Sequence, residues 1–297
     1  MLSGVLAAPI AGVRLHLPRS AWQSIAGSPL ALWGAALLAF LMLFCFVGPL
    51  VYHGDVYAIR MAMTLQGPSV AAPLGTDALG RDILARLMVG GQLLIEISFL
   101  AAIAASLLGS LVGIVAGYFG GFADAVLMRL VDAILGLPQI VPMLFLTVIA
   151  FVTPFSMVLV IGLTAWPTVA RLVRAAVLAV RGETFVESAI ATGATAPRII
   201  ARHILPNVGR TLLVAATDQV GIAAVLLATV AFLGFGLPPP TPNWAHMVES
   251  SASYVLGGNW LLLFLPGACL AMLEIGVFFL GDGLRQALDP RRQGGGR

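Results

Sequence analysis

The chain has no lysine; all 16 basic residues among its 297 are arginine. An ordinary phosphate-binding loop needs a lysine to reach the phosphates, so that kind of nucleotide site is excluded, as is Schiff-base chemistry. Charge of either sign is scarce. Charged residues make up 10% of the chain and hydrophobic ones 60%, against about 25% charged in a soluble domain. Such a surface is not built for water. The two cysteines, Cys45 and Cys269, both lie in apolar stretches, where a thiol reads as a small packing group rather than a disulfide or metal ligand. The four histidines, His16, His53, His203 and His246, are scattered. There is no His-Glu-x-x-His, no Gly-x-Ser-x-Gly, and no nucleophile sharing a stretch with a base. No catalytic or metal-ligating residue is assigned.

What the chain does have is long apolar runs. A bilayer core about 30 Å thick takes roughly 20 residues of helix, and six runs qualify: Leu30–Tyr52, Leu93–Tyr118, Leu127–Phe151, Phe155–Val180, Thr211–Phe235 and Trp260–Leu280. The reading is an all-α integral membrane protein with six transmembrane helices. Runs three and four, parted only by Val152-Thr-Pro154, form a tight hairpin. Arg14 and Arg19 follow the early apolar stretch and no small-residue cleavage site is evident, so the first run is expected to stay as an anchor. The resulting divisions are an N-terminal segment 1–29, the first span 30–52, a loop 53–92, a helical core 93–283 and a tail 284–297.

Arginine placement gives an orientation. With the N-terminus inside, thirteen arginines fall on the inner side, and only Arg60, Arg81 and Arg86 lie outside. That asymmetry satisfies the positive-inside rule and puts both termini in the cytoplasm. Tyr52, Tyr118, Trp166, Trp244 and Trp260 fall near the expected boundaries, as an aromatic belt would.

One inner segment stands apart: Glu183-Thr-Phe-Val-Glu-Ser-Ala-Ile-Ala-Thr-Gly193, then Thr195-Ala-Pro-Arg-Ile-Ile-Ala-Arg-His-Ile-Leu-Pro206. Glu183 and Glu187 suit the N-terminal half of a helix, where the macrodipole favours anions. Gly193 can end that helix in the left-handed region, Thr195 can cap the next, and Pro197 fits its first turn. Arg198 and Arg202, four apart, share one face, while Ile199, Ile200 and Ile204 form another. Pro206 is expected to stop the helix before the fifth span. A helix–glycine–helix platform with an exposed apolar face either lies on the lipid interface or docks a cytoplasmic partner.

The platform resembles the cytoplasmic loop of the membrane subunits of ABC importers. Glu187-Ser188-Ala189 is followed by Gly193 and, nine residues on, by His203-Ile204-Leu205-Pro206; Ser188 stands where the family usually has alanine. Leu74-Gly-Thr-Asp-Ala-Leu-Gly-Arg-Asp82, Gly117-Tyr-Phe-Gly-Gly121, Arg129-Leu-Val-Asp132, Phe232-Leu-Gly-Phe-Gly-Leu237, Pro240-Thr-Pro-Asn-Trp244 and Gly281-Asp-Gly-Leu-Arg-Gln-Ala-Leu-Asp-Pro290 are similar to stretches of the dipeptide, oligopeptide and nickel branch, second permease. The resemblance implies a type I importer permease in a bacterial cytoplasmic membrane. It implies a heterodimer with a sister permease, two ATP-binding subunits inside and a substrate-binding protein outside. ATP and Mg would be used by those subunits, with no cofactor bound by this chain. Residues 183–206 would then be the ATPase-coupling segment, with Glu183, Glu187, Ser188, Ala189, Gly193, Arg198, Arg202, His203, Leu205 and Pro206 as its site residues.

The acids of the apolar runs raise a separate question. Asp132 is expected to pair with Arg129, three residues away, and Glu96 to reach headgroup water. Asp218 and Glu274 are candidates for a translocation pathway. A carboxylate as deep as Glu274 costs about 2.5–3.5 kcal/mol unless it faces protein or water, so it either meets cationic solutes or serves as a buried hydrogen-bonding acid. Gly109 and Gly113 read as a close-packing face, and Gly117–Gly121 as a turn. The loop 237–259 is too proline-rich for a regular helix. Its Asn243, Trp244 and His246 are candidates for contact with a binding protein. Asp77, Arg81 and Asp82 of the first outer loop can pair with one another or with a partner. A secondary transporter is the main alternative, since intramembrane acids fit it, but no internal repeat is evident and it has no use for the platform. A channel leaves the platform unexplained as well.

Overall fold

The computed structural model describes residues 28–288. Arg14, Arg19, Arg291, Arg292 and Arg297, and with them most of both expected terminal segments, lie outside the described residues. Within them the chain is helical. The principal helices are α1 Pro29–Val51, α2 Ile83–Phe119, α3 Gly121–Leu135, α4 Ile140–Ile149, α5 Pro154–Arg181, α6 Thr184–Ala191, α7 Ala196–Phe232, α8 Trp244–Ser251 and α9 Leu261–Leu288. Helices α1, α2, α5, α7 and α9 are each long and apolar enough to cross a membrane, and α3 with α4 can make a sixth, bent crossing.

Three spans differ from expectation. Helix α2 starts at Ile83, not Leu93, because Asp82 caps it: one carboxylate oxygen accepts from the Leu84 N–H at 2.9 Å. The third run is not one helix. Gly136-Leu-Pro138 interrupts it, and α3 and α4 meet at 87°; the residue before a proline is pushed out of the helical region. In α7, Pro206 does not stop the helix. The turn Ile200–Ile204 widens to π geometry, with the Leu205 N–H donating to the Ile200 carbonyl, and the helix continues to Phe232. Asn207 helps by donating its side-chain amide to the His203 carbonyl at 2.6 Å. A proline lacks the donor that an α turn requires, and the wider turn absorbs the loss.

Packing is tightest between α2 and α5. Gly109, Gly113 and Gly117 lie four apart on α2, and a methyl group on any of them would sit 2.6–2.9 Å from Val169, Ala170 or Val177 of α5. Close backbone approach is how helices associate where lipid removes the hydrophobic drive. Helix α1 lies along α9 by the same device, since Gly34 meets Gly276 and Leu280, and Gly283 meets Ala31. The α2–α3 turn uses Gly120 and Gly121 at φ +66 and +55.

The core forms two main clusters. One, built on Leu87, Leu94, Met143, Met157, Ile161, Leu227, Trp244 and Leu273, fills the half away from α6. The other gathers Ile114, Val169, Val173 and Val177 under Val186, Ile199, Ile204 and Val208. That second cluster fixes the platform to the ends of α2 and α5.

Candidate functional site

The platform is an elbow. Helix α6 begins at Glu183, whose backbone takes the N-cap position without a side-chain cap, and Glu187 falls in its first turn. It ends in a Schellman motif: the Gly193 N–H donates to the Ile190 carbonyl at 2.9 Å and the Ala194 N–H to the Ala189 carbonyl at 3.1 Å. Gly193 takes φ +82, a conformation that costs other residues about 1–2 kcal/mol. Thr195 then holds the N-cap position of α7 through its backbone, its side chain making no cap bond.

The elbow has two unlike faces. Val186, Ile199 and Ile204 are fully buried against α2 and α5, and Ala189, Ala194 and Ile200 pack beside them. On the other face, Glu183, Phe185, Glu187, Ser188, Ile190, Ala191, Gly193, Arg198, Arg202 and Leu205 are exposed. His203 is half-buried, its ring 6.0 Å from that of Phe185, so the two arms of the elbow touch. Nothing lies within 4 Å of a side chain built on Gly193. The result is a rigid wedge with apolar and charged groups on an open face. Val186 as the anchor, and the Phe185–His203 contact, were not evident from sequence spacing.

Asp218 and Glu274 come together. They line one groove of about 560 Å³ between α7 and α9, with Gln139, Gly221, Ile222, Val225 and Phe278 among its walls. Asp218 pairs with Arg285 at 2.8 Å, both partners exposed. Asp132 corrects the sequence expectation: it pairs with Arg171 of α5 at 2.7 Å, not with Arg129, because the packing of α3 on α5 brings the Arg171 guanidinium within its reach. Glu96 is exposed and lies thirteen residues into α2, which begins at Ile83.

The opposite end of the molecule also corrects an expectation. The proline-rich loop contains a helix, α8, which starts just after Pro242. Asn243 caps it, accepting from the Ala245 N–H at 2.8 Å. Asn243 and Trp244 are buried, 1% and 0% exposed, so they face inward and offer no contact surface. The Trp244 indole donates to the Leu87 carbonyl at 2.7 Å and lies over Gly91, where a methyl would come within 2.2 Å of the ring. Trp244 and Trp166, both buried, therefore do not belong to an aromatic belt. His246 is the candidate that remains accessible, with its ring 3.2 Å from Glu249.

The long loop between α1 and α2 is tied to itself. Asp77 accepts the Leu79 and Arg81 N–H groups, each at 2.9 Å, and pairs with the Arg81 guanidinium at 2.7 Å. Asp82 caps α2 and accepts the Tyr52 hydroxyl. Asp55 takes the N–H groups of Tyr57 and Ala58, which hold its carboxyl below the usual carboxylate range.

Residues 109–294 match the family model described as binding-protein-dependent transport system inner membrane component, and residues 17–68 match the N-terminal transmembrane domain of oligopeptide transport permease C. The chain is 34% identical to the dipeptide transport system permease protein DppC of Alkalihalophilus pseudofirmus, over 92% of this chain and 90% of that protein. It is also 34% identical to the probable D,D-dipeptide transport system permease protein DdpC of Escherichia coli, over 95% and 94%. A putative peptide transport system permease protein of Brucella suis is 36% identical over 87% and 86%. The fold is similar to a solved structure described as an inward-facing conformation of the MetNI methionine ABC transporter, with a TM-score of 0.56 and 19% identity, covering 69% of this chain and 97% of that one.

Proposed function

The chain belongs to the family of binding-protein-dependent transport system inner membrane components, and on that premise we propose that it carries peptides, or related small solutes such as nickel chelates, through a bacterial cytoplasmic membrane. It is a multi-pass transport subunit of an ABC importer, not an enzyme and not a secondary transporter. In the proposed assembly it pairs with a homologous sister permease. Two cytoplasmic subunits bind and hydrolyse ATP with Mg, an extracytoplasmic binding protein delivers the cargo, and this chain itself holds no cofactor.

One observation supports the coupling role above the others: the elbow is buried on one face and open on the other. The arginine asymmetry, thirteen to three, supports a cytoplasmic elbow. An ATPase cleft would receive Glu187, Ser188, Ala189 and Gly193 at the bend, with Arg198 and Arg202 beside them. Movement of the elbow then has a direct path. The second arm of the elbow and the fifth span are one helix of 37 residues, about 55 Å long. The first arm rests through Val186 on α2 and α5. Displacement at Gly193 would therefore pass along α7 to the α7–α9 groove. At the other end, His246 is the side chain of the three candidates that a binding protein can reach.

The test is reconstitution with and without the ATP-binding subunits. ATP-dependent uptake of a dipeptide, and hydrolysis stimulated by the loaded binding protein, are expected only in the complete assembly. Uptake driven by an ion gradient with those subunits absent would overturn the proposal.

A further inference from the structure

The α7–α9 groove contains a carboxylate with nothing to neutralise it. Glu274 sits midway along α9, and one of its oxygens lies 3.3 Å from where a side-chain carbon on Gly221 would be. Its surroundings are Gly221, Ile222 and Val225 of α7 and Val277 and Phe278 of α9. The other acid of the groove is already matched, Asp218 to Arg285 at 2.8 Å. Among the described residues Glu274 has no hydrogen bond or ion pair. A structural acid in a membrane helix normally finds a donor on the facing helix. Here the facing residue is a glycine, which has no side chain to donate and against which the carboxylate lies directly. The groove, about 560 Å³, is in the range that holds a small organic solute.

We propose that Glu274 is a cation-recognition site on the translocation route, taking the ammonium of a basic side chain of cargo in transit. The inference rests on the importer reading above and names the chemistry that the groove selects. Charge complementarity carries it: a mid-membrane carboxylate facing a mostly apolar groove favours a mobile cation over a neutral or anionic group. Gln139, at the break between α3 and α4, adds an uncharged donor and acceptor on the groove wall. Asp218 faces Gly281, seven residues along α9 from Glu274, which is about 10 Å. It offers a second carboxylate nearer the elbow once the exposed Arg285 swings away.

The test uses the complete importer in proteoliposomes, with Lys-Ala, Ala-Ala and Ala-Glu as cargo. Glu274→Gln is expected to lower Lys-Ala uptake relative to Ala-Glu by about fivefold, the upper ratio that one weak charge pair sustains. Glu274→Asp should restore most of the preference. Ile222→Arg, which brings a guanidinium into the groove with Glu274 intact, is expected to give the same shift. An equal fall for all three peptides, or no change, overturns the proposal. So does loss of the sister permease from the purified Glu274→Gln complex, which would assign the carboxylate to the subunit interface. Failure of the wild-type importer to take up any of the peptides would remove the peptide reading and this proposal with it, whereas a Glu274-specific failure leaves that reading standing.

Discussion

Gly193 and Trp244 show how differently single residues announce themselves. A glycine between two short helical patterns signals a left-handed bend, and φ +82 with the paired Schellman bonds fulfils it. Because nothing lies within 4 Å of the added methyl, Gly193→Ala is expected to cost backbone strain alone, about 1–2 kcal/mol. Amide exchange at residues 193 and 194 should then quicken by about 5–30-fold, and an unchanged rate would show that the bend does not need glycine. Trp244, by contrast, read as a surface aromatic beside prolines. Only the fold reveals that Gly91, more than 150 residues earlier in the chain, leaves room for its ring. Trp244→Phe keeps an aromatic ring but loses half the indole and the bond to the Leu87 carbonyl, so it should destabilise the far end by about 1–3 kcal/mol, measured as a lower unfolding midpoint in detergent. The ion pairs follow the same logic. Asp132 with Arg171, Asp124 with Arg174 and Asp218 with Arg285 join residues 39, 50 and 67 positions apart, beyond the reach of any local periodicity.

Elements were legible where composition alone determines them. Apolar length located α1, α2, α5, α7 and α9, since a span must be long and greasy whatever it packs against. Breaks within a span were harder to read, because proline has two outcomes in a membrane helix. At Pro138 the helix parts and turns by 87°, while at Pro206 it stays whole through a π turn. The same compensation occurs in α1, where the π turn Leu43–Val47 precedes Gly48 and Pro49. Neighbouring donors decide between the outcomes, and those donors are set by the fold. The α2–α5 seam gives the sharpest prediction at this scale. Gly113→Ala places a methyl 2.6 Å from the Ala170 carbonyl and should cost about 1–3 kcal/mol by overpacking. Gly209→Ala, with nothing within 4 Å, should leave the unfolding midpoint of the complex unchanged or raised. Equal behaviour of the two variants would mean that the seam is looser than described.

At the scale of the molecule, one helix joins the elbow to the groove. Val186, Ile199 and Ile204 clamp the elbow to α2 and α5, and α7 runs unbroken from the elbow past Asp218 and Gly221. The family pattern of Glu187, Gly193 and Pro206 made the elbow readable in sequence. The joint groove of Asp218 and Glu274 was not, because their meeting depends on how α7 and α9 lie together. The most direct test of the account is a cysteine at exposed Ala191, with Cys45 and Cys269 replaced, treated with a short bifunctional thiol cross-linker in the assembled importer. The account predicts a covalent product with an ATP-binding subunit and arrest of uptake. A product with the extracytoplasmic binding protein instead, or an elbow that cross-links to no ATP-binding subunit while ATP-driven uptake persists, would contradict it.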